Sequence, residues 1–108
     1  MDLEIKKDLV SNWFKTLQDA FCDDIIKIEK NKVRFKSTNW KRNTIKDEGG
    51  GEYRILKNGK IFEKVGVNFS KVYGKFPKQF QKNIPGAKKN PNFWASGISV
   101  VMHMNNPL

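Results

Sequence analysis

The sequence has 108 residues, 38% hydrophobic and 30% charged, which fits one compact folded unit, and its 12% of aromatic residues excludes a disordered chain. Its 21 Lys and Arg against 11 Asp and Glu give a formal net charge of +10, which favours anionic partners. There is no apolar run long enough to span a membrane and no secretory-signal pattern, and one cysteine (Cys22) with one histidine (His103) excludes a disulfide or a zinc site. We therefore expect a cytoplasmic protein.

Residues 3–30 show the three- and four-residue periodicity of an amphipathic helix. Asp2 is suited to cap its first turn, and Asn31 is suited to end it in the left-handed conformation. We expect the apolar stripe of this helix to pack in the core. Its members are Leu9, Val10, Trp13, Phe14, Leu17, Ala20, Phe21, Ile25 and Ile28.

After the helix the period changes to two, with Val33 and Phe35 alternating with basic residues. This alternation predicts a strand over about residues 32–40. Residues 43–51 are polar and end in three glycines, so they are predicted to form a loop.

Two further extended runs predict strands over about residues 52–57 and 60–70. They are joined by Asn58 and Gly59, a pair typical of the two-residue type I′ turn, in which both residues need a positive φ. These two strands are therefore predicted to form an antiparallel hairpin.

Residues 74–92 are predicted to be mostly loop, with one helical turn around 77–82 and a chain turn at Pro85-Gly86. A last strand is predicted over about 94–104. One long helix followed by hairpin-connected strands is an α+β pattern, with the helix packed on an antiparallel sheet. Because strand-like sequence continues almost to Leu108, we expect a chain interrupted within a larger domain.

Side chains alternate along a strand, so the strands 61–70 and 94–104 can each be divided into two faces. We expect the bulky apolar faces to pack on the helix, and the small or hydrogen-bonding faces to accept either a covering helix or a flat ligand with polar edges. Ser99 and His103 share the second kind of face but lie about 13 Å apart along the strand, too far for a Ser–His nucleophile pair. The bulky residues are Ile61, Val65, Val67 and Phe69, then Trp94, Ile98, Val100, Met102 and Met104; the others are Gly66, Asn68 and Ser70, then Ala95, Gly97, Ser99, Val101 and His103.

Three strings of the sequence are more specific than these patterns. They are Trp40-Lys41-Arg42 followed by Gly49-Gly50-Gly51, the segment from Phe62 to Lys75 that begins Phe-Glu-Lys-Val-Gly-Val-Asn, and the segment from Phe93 to His103 followed by Asn106-Pro107. In this order they resemble the oxygen-dependent coproporphyrinogen III oxidases over nearly the whole chain. The N-terminal helix is the part without a specific motif.

The resemblance implies a homodimeric enzyme of haem biosynthesis, built on a large antiparallel sheet flanked by helices. It implies oxidative decarboxylation of two propionates of coproporphyrinogen III to vinyl groups, which gives protoporphyrinogen IX and carbon dioxide. Molecular oxygen is the implied co-substrate, and no flavin or nicotinamide is expected. Because the family's sequence continues well beyond this match, the chain is expected to be a truncated or split form, inactive alone and completed by a C-terminal polypeptide.

The resemblance also implies roles for four residues of this sequence. Ser99 matches a substrate-contacting serine, and Asn68 and Arg42 lie in matching motifs as further substrate-binding candidates. His103 matches a histidine proposed as a divalent-metal ligand in bacterial members. The family's proposed proton-donor histidine has no counterpart here, so no catalytic residue is assigned. Two departures are Met104, where a proline is common, and the residues 43–48 inserted before the glycines.

A second hypothesis is a small basic module that binds single-stranded nucleic acid without catalysis. It requires Trp40, Tyr53 or Trp94 to be exposed on a sheet face among lysines. Lysine supplies 18 of the basic residues and arginine only three, whereas recognition of bases and phosphate favours arginine. We therefore interpret most of the charge as a solvated surface and expect no specific nucleic-acid partner.

Overall fold

One long helix precedes a four-stranded sheet in the computed structural model of the chain, which describes residues 2–87 and 89–106. The expected α+β fold is confirmed. In chain order the elements are α1 (Leu3–Glu29), β1 (Lys36–Lys41), β2 (Gly49–Lys57), β3 (Phe62–Lys75), α2 (Lys78–Gln81) and β4 (Asn92–Met104).

The sheet is an antiparallel meander in the order β1-β2-β3-β4. Helix α1 packs on β3 and β4 and covers one face, which carries Leu56, Val65 and Val67; we call it the covered face. The opposite face carries Gly66 and Asn68, and we call it the open face. No helix in the described part of the chain is long and apolar enough to cross a membrane.

The core lies between α1 and the covered face. Cys22 and Ile25 of the helix meet the strand residues there, and burial raises the pKa of the Cys22 thiol, as suits a small apolar group kept neutral. The buried cluster consists of Cys22, Ile25, Leu56, Phe62, Val65 and Val67, with Phe21, Ile26, Val33, Phe35 and Ile98 packed against it.

The helix turns a partly polar face to the sheet. Gln18 is fully buried, and its amide donates hydrogen bonds to the backbone carbonyl oxygens of Glu52 (2.8 Å) and Val67 (3.2 Å). This anchoring fixes the rotation of α1 about its axis. The expectation that the whole apolar stripe is core was therefore wrong at Leu9, Val10, Trp13, Ala20 and Ile28, whose side chains are exposed.

The helix ends one residue earlier than expected. Lys30, with φ 54°, takes the left-handed conformation, while the side chain of Asn31 accepts a hydrogen bond from the Val33 backbone N–H (2.9 Å). This local turn keeps residues 32–35 out of the sheet, so β1 begins at Lys36 rather than near 32.

The glycines that were expected to end a loop instead open a strand. Gly49 to Gly51 are the first residues of β2. All three pair with β3, and Gly50 and Gly51 pair with β1 as well. A side chain at Gly50 or Gly51 would overlap a backbone carbonyl oxygen of the neighbouring strand, so glycine suits this close approach. The helical turn expected around 77–82 is confirmed as α2, and Gly86 has the positive φ (80°) of a turn.

The connection between β2 and β3 is not the two-residue turn that Asn58 and Gly59 predict. Asn58 has a positive φ (60°) but Gly59 does not, and the last pair of the hairpin is Lys57 with Lys64. A buried carboxylate, Glu29, holds this wider loop instead. It accepts hydrogen bonds from the backbone N–H groups at Lys60 (2.6 Å), Ile61 (3.0 Å) and Phe62 (2.8 Å).

Candidate functional site

A cavity of about 200 Å³ lies on the open face, across β2, β3 and β4. The register creates it: Asn68 pairs with Ser99, Gly66 with Val101, and Lys64 with His103. Gly66 and Ser99 therefore lie at its centre, with the larger polar side chains of Tyr53, Lys64 and His103 around them. The lining residues are Tyr53, Lys64, Gly66, Asn68, Ser99, Val101 and His103.

The structure brings together three of the four residues singled out by the resemblance. Asn68, Ser99 and His103 line this one cavity on the side of the sheet opposite Val67, as the alternation of faces predicts. Ser99 and His103 are exposed, and helix α1 lies on the other face. The geometry suits recognition of a bound molecule.

Asn68 is oriented by a tryptophan. The indole Nε1 of Trp40 donates a hydrogen bond to Asn68 Oδ1 at 3.0 Å, and the Trp40 ring lies over Gly51. With its carbonyl oxygen engaged, Asn68 keeps its amide N–H groups for a ligand in the cavity.

Replacing Gly51 by alanine is expected to lower the free energy of unfolding by about 2–3 kcal/mol. The new methyl group would overlap the Phe69 carbonyl oxygen and come within 2.8 Å of the Trp40 ring, so the ring that orients Asn68 would be displaced. Gly66→Ala is the matched control, because the nearest atom to its methyl group would be Tyr53 Cε2 at 4.0 Å. Equal losses for the two variants, measured by urea unfolding, would contradict this account.

Arg42 lies on the open face but outside this cavity. Its guanidinium donates hydrogen bonds to the Glu48 carboxylate (3.2 Å) and the Tyr73 backbone carbonyl (3.0 Å), and it lies 4.6 Å from the ring centroid of Phe93. Glu48, one of the residues 43–48 inserted before the glycines, is thus the carboxylate partner of Arg42. The structure does not bring Arg42 next to Ser99.

A larger hollow of about 690 Å³ lies beside the 43–48 loop and includes residues of the covered face. Its two carboxylates have partners: Glu52 forms an ion pair with Lys15, and Asp47 accepts a 2.5 Å hydrogen bond from the Tyr73 hydroxyl. That hydrogen bond lowers the pKa of Asp47 and raises the pKa of Tyr73. None of Arg42, Asn68, Ser99 and His103 lines this hollow, so it is a weaker candidate than the smaller one.

A metal centre does not fit the residues around His103. His103 is the single histidine of the chain, and its direct cross-strand neighbour is the ammonium of Lys64. The described residues contain no group of three or more His, Cys, Asp and Glu side chains placed to hold a metal ion. Further ligands would have to come from outside these residues.

Three lining residues had no substrate-binding role in the sequence prediction. Val101 was placed only on the face of small or hydrogen-bonding residues, Tyr53 was named only for nucleic-acid binding, and Lys64 was not selected. Val101 and Lys64 follow from the alternation that places Asn68 and Ser99 on one face, so the period of two was the available signal. Tyr53 enters through its pairing with Asn68, which a two-residue turn at Asn58 and Gly59 would not produce. Gly97, which was expected on the ligand-accepting face with Ser99, does not line the cavity.

Comparison with known proteins identifies the family of the chain. Residues 9–108 match the sequence model of the family described as Coproporphyrinogen III oxidase. A relative from Rickettsia felis, named oxygen-dependent coproporphyrinogen-III oxidase, is 42% identical over 110 residues, which covers 94% of this chain and 38% of the relative. A relative of the same name from Rickettsia africae is 40% identical over 116 residues, covering 100% of this chain and 40% of the relative.

The chain therefore spans about 38–40% of the length of these curated relatives. The matched residues include the whole sheet and the cavity with Asn68, Ser99 and His103. On this evidence the chain belongs to the coproporphyrinogen III oxidase family.

Proposed function

We propose that the chain is part of an oxygen-dependent coproporphyrinogen III oxidase and forms one wall of its substrate site. The reaction converts two propionates of coproporphyrinogen III to vinyl groups, with release of carbon dioxide and transfer of electrons to molecular oxygen. The observation that carries the proposal is the cavity in which Ser99 and Asn68 stand side by side on an uncovered face.

Ser99 and Asn68 bind the substrate in this proposal. The Ser99 hydroxyl both donates and accepts hydrogen bonds, and the Asn68 amide donates, so together they can hold polar edges of a flat tetrapyrrole. Arg42, farther along the same face, retains guanidinium N–H groups beyond those bound to Glu48 and can contact a second edge. No described residue is assigned the proton transfer.

Other protein must complete the site. A cavity of about 200 Å³ is smaller than typical ligand sites of about 300–1,000 Å³. Apolar side chains also remain exposed along α1 and β4: Val10 by 42%, Trp13 by 60%, Val100 by 38%, Met102 by 47% and Met104 by 55%. We propose that the part of the family's polypeptide not matched here covers them, within a cytoplasmic homodimer.

The test is reconstitution of turnover. The chain is incubated with coproporphyrinogen III and oxygen, with and without a polypeptide that supplies the unmatched part of the Rickettsia felis relative, and protoporphyrinogen IX is measured. The proposal predicts product in the mixture.

One observation favours the nucleic-acid hypothesis. Tyr53 is 38% exposed on the open face and lines a second cavity with Arg34, Lys36 and Lys57, as an aromatic platform among basic residues would. Trp40 on that face is half-buried and hydrogen-bonded, and the Lys7 ammonium lies over the ring of Trp94. A single stacking ring gives little sequence-independent affinity.

Binding to single-stranded DNA is therefore expected to be weak at low salt and lost by about 200 mM salt, because it would depend on counterion release alone. Fluorescence anisotropy of a labelled oligothymidine measures it. Tight binding that persists at high salt and is lost in Tyr53→Ala would support the nucleic-acid module instead.

A further inference from the structure

A row of basic side chains crosses the open face at the end nearest the β2–β3 connection. The register pairs Lys57 of β2 with Lys64 of β3, and Lys64 with His103 of β4. The Cβ atoms of directly paired residues lie about 4.5–5.5 Å apart, so Lys64 in the middle is an immediate neighbour of both Lys57 and His103. We call Lys57, Lys64 and His103 the basic row.

No ion pair among the described residues compensates the charge of this row. Like charges directly opposite one another destabilise a sheet, yet here two lysines are paired. Within residues 2–87 and 89–106 no carboxylate forms an ion pair with Lys57 or Lys64. Both lysines are exposed, so their ammonium groups are accessible to a soluble anion.

The row lies where two hollows of the open face meet. Lys64 and His103 line the cavity that holds Ser99, and Lys57 lines the neighbouring hollow of about 380 Å³. Tyr53 lines both, so the surface is continuous. A ligand lying over the glycine and serine at the centre of the cavity would place one edge against the basic row.

We propose that the basic row is a carboxylate-binding site that anchors a propionate group at one edge of the tetrapyrrole. The inference rests on the proposed function and adds to it the residues that hold the acidic side chain. The Lys57 and Lys64 ammonium groups donate charge-assisted hydrogen bonds to the carboxylate, and the His103 imidazole adds an N–H donor. Gly66, without a side chain, leaves room for the ring beside them.

Binding of coproporphyrin III, the stable oxidised form with the same four carboxylates, is the measurement, followed by quenching of tryptophan fluorescence. We expect Lys57→Gln and Lys64→Gln each to weaken binding about 10- to 100-fold, as the loss of one charge-assisted hydrogen bond does. Lys64→Arg should retain binding. The tetramethyl ester of coproporphyrin III, which lacks the charges, should bind at least about 10-fold more weakly to the unaltered chain.

The double variant Lys82→Gln/Lys89→Gln is the matched control, since it removes the same charge as Lys57→Gln/Lys64→Gln from an exposed loop. The control should bind as the unaltered chain does. Without ligand, Lys57→Gln/Lys64→Gln should have a melting temperature equal to or above that of the unaltered chain, because a like-charge pair is removed. Weaker binding in a protein that is no less stable separates a ligand site from a structural role.

Mellitate, a benzene ring with six carboxylates, distinguishes the two possible failures. If coproporphyrin III binds equally to the unaltered chain and to both double variants, the basic row is not the anchor, while the proposed function stands. If mellitate binds through the two lysines and coproporphyrin III does not bind, the carboxylate site is supported and the substrate assignment fails. If neither compound binds, the inference is overturned.

Discussion

Mixed with the unmatched part of the family's polypeptide, the chain is expected to produce protoporphyrinogen IX, and alone it is expected to produce none. The reaction requires an enclosed tetrapyrrole, because water must be excluded while a carboxylate is lost. The open face offers a cavity of only about 200 Å³ without a cover. Product measured by its fluorescence after oxidation, over equal times with and without the added polypeptide, gives the comparison.

Within the active mixture, Ser99→Ala should lower kcat/KM about 10- to 100-fold, the effect of one hydrogen bond to a polar substrate atom. Ser96→Ala is the matched control on the same strand, since the Ser96 hydroxyl donates to the Ser70 backbone carbonyl at 2.7 Å and does not line the cavity. Sustained turnover by the chain alone would show that it needs no further protein to enclose the substrate. A stable complex of the two polypeptides without turnover would contradict the proposed function.

Glu29→Gln is expected to lower the free energy of unfolding by about 2–3 kcal/mol, the contribution of hydrogen bonds to a charged acceptor. Glu29 is 3% exposed, and its carboxylate binds three consecutive backbone N–H groups. The amide of glutamine offers only one oxygen and directs an NH₂ group towards those donors. Glu63→Gln, at an exposed carboxylate next to the same loop, is the control and should change stability by less than about 0.5 kcal/mol in urea unfolding.

The loss at Glu29 should depend on pH. Burial alone would raise the pKa of Glu29, but the hydrogen bonds from Phe62, Ile61 and Lys60 outweigh it and lower the folded-state pKa below the usual 4.5. The stabilisation is therefore complete above about pH 4.5 and is lost as the pH falls through the folded-state value. Unfolding measured from pH 7 downward should show a smaller acid-induced loss in Glu29→Gln than in the unaltered chain; equal slopes would contradict this account.

The faces of the strands could be predicted from the sequence, whereas their register could not. A two-residue turn at Asn58 and Gly59 pairs Lys57 with Lys60, and the structure pairs Lys57 with Lys64. This shift is an even number of residues, so every side chain stays on its expected face while its cross-strand neighbour changes. Asn68 and Ser99 were therefore found, and the pairing that forms the basic row was not.

Two of the wrong predictions, the buried face of α1 and the connection between β2 and β3, have the same origin. The rotation of α1 is set by Gln18, and the β2–β3 connection by Glu29, both buried polar groups bound to backbone far away in sequence. Periodicity reports which residues are apolar, and it contains no information on such long-range partners. A fully buried glutamine within an amphipathic helix becomes recognisable only once the strands are in place.

The meander has a consequence for how the chain folds. Each strand pairs with the strand next to it in sequence, and β3 with β4, the most widely separated of these neighbours, are joined by only residues 76–91. Local pairing reduces the entropy lost in closing loops and favours fast formation of hairpins. The slower event is then the docking of α1, whose Glu29 and Gln18 must reach β2 and β3 after those strands have met. The sheet can therefore assemble first, and the docking of the helix then makes the folding of helix and sheet cooperative.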